Sequence, residues 1–339
     1  MHRYSFLLIV IFILFPILMG CDAAVASKQI QDQNYLQVDR DRLTPEDVSI
    51  VEVIDPTASP TQAPLDEINF LRQSLLCEST FCQIQWAGWL SRPFNYPDRN
   101  WIDLTYPYAS TGNGTLAIHH GVEFPNPYGT AVRAAADGRV VFSGTDDEKI
   151  FGSFKNFYGK LVIIEHPEKV DGTDLFSLYG HLSEISVDEG DMIREGDVIG
   201  RVGASGVAGG SHLHFEVRYG VNNYHHSTNP VLWFSPLENQ QSGQTSTLAG
   251  LISGPDGKPL SELSITLEKT IGENEVEKHY YLQTYAQDGV NAHPVLEENF
   301  SMPDLPPGNY RLSFIFGTLY EIYFTLDQGM LGFINLQMK

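Results

Sequence analysis

The chain has little cysteine, little positive charge and no long apolar run. Three cysteines in 339 residues are too few for a disulfide-built scaffold. Only 21 lysines and arginines stand against 42 aspartates and glutamates, a formal charge of −21. That balance excludes nucleic acid and other polyanions as primary partners, because they are repelled before contact forms. No stretch reaches the roughly 18–20 apolar residues that a membrane-crossing helix needs. The run from Phe6 to Met19 spans only about 21 Å as a helix. There is no array of internal repeats, which excludes a solenoid. What remains is ordinary: 42% apolar residues, 12% aromatics and 30 glycines are enough to build cores, and the length predicts two or three globular units.

The apolar run follows Arg3 and reads as the hydrophobic region of a signal peptide, so residues 1–20 are expected to be a leader. It ends in Leu18-Met19-Gly20-Cys21, which resembles a bacterial lipobox. The resemblance implies cleavage before Cys21, lipid on its thiol, and a protein held outside the cytoplasm on a bacterial membrane. Cys77 and Cys82 remain, a C-x4-C pair with no further metal ligands close in sequence. A small disulfide loop is the expectation for an oxidising compartment.

Residues 21–64 are polar, without sustained periodicity, and end in a Pro/Ala/Thr/Ser stretch from Pro56 to Pro64. They are expected to form an extended, solvated tether. Leu65, Ile68, Leu71, Leu75 and Leu76 recur at helical spacing, so residues 65–100 are expected to carry one short helix stapled by the cysteine pair. From 101 to 240 the pattern is β. Arg139–Phe142, Leu161–Ile164 and Leu213–Val217 are short apolar or alternating runs broken by glycine and aspartate. Such short spacing predicts antiparallel strands in a curled sheet. After a polar joint from Glu238 to Ser246, a second β region runs from 246 to 339. Leu248–Leu251 and Leu263–Leu267 flank Gly254-Pro255-Asp256-Gly257, a pattern that predicts a tight hairpin. A small β-sandwich is expected there.

Histidine is the informative residue type. His212-Leu213-His214 lies on an expected strand, which puts both rings on one face. His119 and Glu123 bracket Gly121, and His181 follows the strand-like Leu175–Tyr179. Two imidazoles and a carboxylate with an open fourth position form the usual donor set of catalytic zinc. His120 is expected to point away from His119, and His166, His225, His226, His279 and His293 have no motif around them. The glycines from Gly203 to Gly210 lack the G-K-[ST] ending of a phosphate loop and read as a flexible groove rim.

Read in order, His119-His120-Gly121-Val122-Glu123, Gly129-Thr130-Ala131-Val132, Leu178-Tyr179-Gly180-His181, Gly196–Gly200 and His212-Leu213-His214-Phe215-Glu216-Val217-Arg218 resemble the lysostaphin-like (LytM-type, M23) zinc metallopeptidases. The resemblance covers residues 101–235. It implies a mainly β domain with a groove, and hydrolysis of stem or cross-link peptides of bacterial peptidoglycan. It further implies one zinc per chain on His119, Glu123 and His214, with His181 and His212 flanking the reacting water. The family pattern is H-x-G-x-D, and this chain has Glu123 at the aspartate position. A non-catalytic relative that binds the wall or activates a wall hydrolase is therefore the alternative. Residues 246–339 resemble the carboxypeptidase-regulatory-like sandwiches, which implies a spacer or binding module.

Overall fold

The computed structural model describes residues 48–51, 79–86, 88–170, 172–239, 243–272, 275–286 and 289–339. The leader, Cys21, the expected helix after Leu65 and Cys77 lie outside the described residues.

The region around the histidines is a seven-stranded antiparallel sheet. Its strands run in the order Ser227–Thr228, Leu213–Tyr219, Thr173–Leu182, Lys160–Val170, Gly138–Thr145 and Met192–Ile193, with Val122–Phe124 also paired to Leu213–Tyr219. Ala131–Arg133, Val198–Arg201 and Glu184–Ile185 make a second, three-stranded sheet. Alternation of side chains along each strand explains why the large sheet is buried on both faces. Val162 and Ile164 join one apolar core, while Leu161 and Ile163 join another on the opposite side. Each such aliphatic side chain, fully buried, contributes about 1.5–3 kcal/mol. The sheet is thus a rigid floor for anything mounted on it.

The C-terminal region, with two short segments from earlier in the chain, forms two further sheets. One sheet runs Val48–Val51, Thr318–Leu326, Gly308–Phe316, Ser264–Ile271, Glu275–Gln283; the other runs Phe300–Leu305, Ser246–Ser253, Met330–Gln337, Phe81–Gln85. Between them Leu248, Ile265, Leu267, Leu312, Ile322 and Ile334 are fully buried.

Three local expectations are corrected. Phe81–Gln85, placed above in a helical segment, is a strand antiparallel to Met330–Gln337. Phe81 and Ile84 bury themselves in the chain's two larger cores, an outlet that local spacing does not reveal. Cys82 on this strand is disulfide-bonded. Val48–Val51, placed in the tether, adds in parallel to Thr318–Leu326 and covers that sheet edge. The Gly254–Gly257 turn forms, with Gly257 at φ +77° and its N–H donating to Gly254 O at 2.9 Å. It does not join a hairpin, because Ser246–Ser253 and Ser264–Ile271 lie in different sheets. Turn chemistry sets the local reversal, and burial decides which partner each strand takes.

The polar joint carries a small ladder of its own, Glu238–Asn239 paired with Gly243–Gln244. The two β regions then share a core: Phe215, Trp233 and Phe234 sit in one apolar cluster with Ala249, Tyr285, Leu331 and Phe333. Polar contacts reinforce that seam. Asn229 Nδ2 donates to Tyr285 Oη at 2.6 Å and to Ser301 Oγ at 2.7 Å, and Ala286 N–H donates to Ala109 O at 3.1 Å. The C-terminal β region is therefore packed against the histidine-bearing one.

Candidate metal centre

The register of three strands assembles the site. Glu123 lies directly opposite His214 in one ladder, and Gly180 lies opposite His214 in the next. Gly121 explains the close approach, since a Cβ there would sit 2.7 Å from the His214 ring atoms Cε1 and Nε2. His119 enters from the preceding loop, its backbone tied to Ala109 and Ser110, and its ring stacked on Tyr106 with centroids 4.3 Å apart.

Three acceptors converge. Glu123 Oε1 lies 2.9 Å from His119 Nε2 and 2.9 Å from His214 Nδ1, and the two nitrogens are 3.4 Å apart. The outer ring nitrogens decide the proton positions. His119 Nδ1–H donates to Tyr106 O at 2.6 Å, and His214 Nε2–H donates to Glu216 Oε1 at 3.1 Å. With a proton fixed on the outside of each neutral ring, each inner nitrogen offers a lone pair. A lone pair from His119, another from His214 and a carboxylate oxygen then face one point and repel each other unless a cation or an extra proton sits between them.

Electrostatics express the same demand. Burial opposes charge on His214, but Glu123 and Glu216 on its two sides outweigh it and push it up to about 10. Burial would raise the Glu123 carboxyl, yet the surrounding imidazoles hold it well below the usual carboxylate range. A metal ion competes with that proton for the same lone pair. Zinc bonds of about 2.0–2.1 Å at tetrahedral angles place ligand atoms about 3.4 Å apart, which is the separation of His119 Nε2 from His214 Nδ1, while the two Glu123 edges at 2.9 Å are shorter. Glu123 Oε2 adds a further mark, being buried without a hydrogen bond, although His212 Nε2 lies 3.1 Å away off the bonding direction. His119, Glu123 and His214 are the group among the described residues with donor atoms close enough to hold an ion.

Two more imidazoles stand beside this group. The His181 ring lies 4.9 Å from that of His212 and 5.6 Å from that of His214, centroid to centroid. His181 takes φ +61° at the end of its strand, a conformation that costs a non-glycine residue about 1–2 kcal/mol and is kept where surrounding contacts enforce it. Those contacts come from the glycine-rich segment read above as a flexible rim. Ser205 O accepts from His181 Nδ1 at 2.8 Å, and Gly210 O accepts from His212 Nδ1 at 3.0 Å. The segment thus sets the tautomers of both rings. Burial pushes His181 down to about 4, so it is neutral at pH 7.

The structure brings together all five site residues expected from sequence: His119, Glu123, His181, His212 and His214. Glu123, at the position where the family pattern has aspartate, brings Oε1 within 2.9 Å of both His119 Nε2 and His214 Nδ1. His120 is buried against Tyr224, donates or accepts with Ser227 Oγ at 2.8 Å, and is pushed down to about 4 by burial. It packs the wall of the site. His166 is held between Asp137 O and Ser177 Oγ. Sequence reasoning passed over Glu216, Arg218 and Tyr158, which form a buried set behind His214. Arg218 Nε donates to Glu216 Oε2 at 2.8 Å, and Tyr158 Oη bonds Glu216 Oε1. The signal was available: the period of two that aligns His212 with His214 continues through Glu216 and Arg218.

His119, Glu123 and His214 form a cluster of acceptors on the antiparallel sheet that could hold a metal ion. Residues 117–230 match the model of Peptidase family M23, so the chain carries a domain of that family. Over 104 residues it is 41% identical to the DD-carboxypeptidase/endopeptidase Mpg of Neisseria meningitidis, covering 31% of this chain and 21% of that protein. It is 34% identical to lysostaphin of Staphylococcus staphylolyticus over 124 residues, 36% of this chain and 22% of that one. The matched stretch is thus about a fifth of the length of these relatives. Among solved structures, the catalytic domain of the prophage-encoded M23 protein EnpA of Enterococcus faecalis is 26% identical, with a TM-score of 0.33, over 41% of this chain and 94% of that one.

Proposed function

We propose that the chain is a zinc-dependent endopeptidase that hydrolyses peptide bonds of bacterial peptidoglycan. The observation that carries this reading is the convergence of His119 Nε2, Glu123 Oε1 and His214 Nδ1, with the His181 and His212 rings beside them. Zinc held by those three atoms would polarise the scissile carbonyl and lower the pKa of a water towards about 7. The remaining chemistry belongs to the two flanking histidines. His181 keeps its proton on Nδ1 against Ser205 O, so Nε2 is the acceptor that takes a proton from the attacking water. His212, with its Nδ1–H on Gly210 O, carries its second ring nitrogen towards the site, where its protonated form would steady the developing oxyanion. A wall peptide as substrate is supported by a relative named peptidoglycan DD-endopeptidase ShyB of Vibrio cholerae, 30% identical over 138 residues.

The matching relatives also include an outer membrane antigenic lipoprotein of Haemophilus influenzae. Together with the lipobox-like Leu18–Cys21 segment, it supports an extracytoplasmic protein tethered through lipid on Cys21. Such a tether raises the local concentration of the site near the wall, which bulk attraction by a chain of formal charge −21 cannot do. Cys77 is the expected disulfide partner of Cys82.

The test is digestion of purified peptidoglycan with the purified chain, with and without chelator, and identification of products by mass spectrometry. New amino termini that vanish with chelator and return with zinc are the expected result. Intact peptides in zinc-replete protein would overturn the reading. A companion expectation concerns Glu123→Asp. Shortening the side chain withdraws Oε1 from two nitrogens now 2.9 Å away, while ladder pairing holds the backbone in place. Zinc affinity should fall roughly tenfold, because metal–oxygen distances tolerate only tenths of an ångström. Unchanged or tighter binding by calorimetric titration would show that the site relaxes freely around aspartate.

A further inference from the structure

We infer that Glu216, clamped by Arg218 and Tyr158, is a positioning residue that dictates which nitrogen of His214 faces the metal. The inference rests on the zinc-binding reading above and concerns residues that do not touch the ion or the substrate.

The argument is one of donors and acceptors. His214 Nε2 lies 3.1 Å from Glu216 Oε1. An ionised carboxylate is an acceptor only, so Nε2 carries the proton of that contact, and the nitrogen that can give up its proton to a metal and offer a lone pair beside His119 and Glu123 is Nδ1. Glu216 stays ionised because its other contacts are donors. Arg218 Nε–H reaches Oε2 at 2.8 Å, with both side chains fully buried, and Tyr158 O–H points at Oε1. Arg218 is itself fixed: Nη2 donates to Phe151 O at 3.0 Å and to Tyr158 Oη at 3.1 Å, and Nη1 to Asn222 Oδ1 at 3.1 Å. The guanidinium therefore cannot swing away, and its Nε–H on Oε2 together with the Tyr158 hydroxyl on Oε1 fixes the orientation of the carboxylate. Tyr158 accepts from Arg218 and donates to Glu216, so its hydroxyl has one self-consistent direction.

This arrangement accounts for a cost that the fold would otherwise have no reason to bear. Glu216 and Arg218 bury opposite charges at 0% exposure on a strand whose other face carries Leu213, Phe215 and Val217. A buried ion pair is weak as a source of stability compared with apolar packing of the same volume. It is strong as a means of fixing a neighbouring ring, and outer partners of metal-ligating histidines are worth 10–100-fold in metal affinity.

Glu216→Gln makes the lock distinguishable from simple support. Arg218 Nε–H still demands an acceptor, so the amide oxygen turns towards Arg218 and the amide NH2 turns towards His214. An NH2 there needs a lone pair on Nε2, which moves the ring proton to Nδ1, into the position that the metal requires. The experiment measures zinc affinity by competition with a chromogenic chelator, and the protonation of His214 Nε2 by 15N NMR, on the full chain. In the wild type Nε2 is expected to carry a proton with and without zinc. In Glu216→Gln the Nε2 proton is expected to be absent and zinc binding weaker by 10–100-fold.

Zinc affinity within threefold of wild type overturns the inference, and so does weakened binding with the Nε2 proton still in place. Should Glu216→Gln fail to fold, the wild type decides: an unprotonated Nε2 in the zinc-loaded chain refutes the lock, and a protonated one supports it. A wild-type chain that takes up no zinc would instead be a failure of the zinc-peptidase reading, seen before any variant is made.

Discussion

Replacing Gly121 by alanine is expected to remove zinc binding and peptidoglycan hydrolysis while leaving the protein folded. The new Cβ would stand 2.6 Å from Phe215 O and 2.7 Å from the His214 ring, both far inside van der Waals contact. Two relaxations are open. The Val122–Phe124 strand can move away from Leu213–Tyr219, which carries Glu123 away from His214, its partner across the ladder. Alternatively the His214 ring can turn, which breaks its bond to Glu216 and points Nδ1 elsewhere. Either way an edge of the ligand triangle is lost, and affinity should fall by about 100-fold or more. The fold should survive, since overpacking at one position costs typically about 1–3 kcal/mol and two extensive cores support the sheet on its faces. Zinc titration and a circular-dichroism melt check both halves. An alanine variant that binds zinc as the wild type does would show that the ring tolerates the displacement, and that the glycine serves some other need.

The glycine shows why much of this site could be read from sequence and some could not. The clustering of His119, Glu123, His181, His212 and His214 could be anticipated because the donor set of a zinc site restricts residue types, and because a strand puts residues two apart on one face. The strands themselves were legible from apolar runs such as Leu161–Ile164, which have no helical outlet at that length. Glu216 and Arg218 lay on the same face and were passed over, since a charged pair on a strand is ordinarily solvated. Only the tertiary structure shows them at 0% exposure. The glycine-rich segment failed for the opposite reason. Its composition suggests freedom, whereas its carbonyls at Ser205 and Gly210 are spent on two imidazoles. Partners distant in sequence were also hidden. Nothing local in Phe81–Gln85 reveals that Met330–Gln337 waits some 250 residues later, as in the pairing of Cys82 with Phe333. The seam between the two β regions was hidden in the same way, because its apolar half is an ordinary core and its polar half is a set of single side chains.

That seam carries a pH dependence. Glu298 is buried in it, accepting from Tyr285 Oη–H at 2.9 Å and from His293 N–H at 2.9 Å. Tyr285 in turn takes Asn229 from the histidine-bearing region. Burial pushes the Glu298 carboxyl up to about 8, against the smaller opposing effect of those hydrogen bonds. His293 is pushed down to about 3 by burial and stays neutral across the same range. The sign follows from linkage. Between roughly pH 4.5 and pH 8 the folded chain keeps a proton that the unfolded chain releases, so stability is full below the unfolded value and falls as pH rises through the folded one. The slope is about 1.4 kcal/mol per pH unit inside that window, giving a loss of a few kcal/mol by pH 8. Glu298→Gln retains a carbonyl oxygen for Tyr285 and His293 and has nothing to ionise. Its melting temperature relative to wild type should therefore climb by several degrees between pH 5 and pH 8. The buried His120 and His166 titrate identically in both proteins, so the difference isolates Glu298. A melting-temperature difference that stays constant from pH 5 to pH 8 would mean that Glu298 is ionised in the folded chain throughout, with the seam supplying a counter-charge. If the difference climbs as expected, the same seam should loosen first on the alkaline side. Hydrogen exchange would register that loosening as lost amide protection in Tyr285, Ala286 and Asn299, whose N–H groups bond across it or beside it.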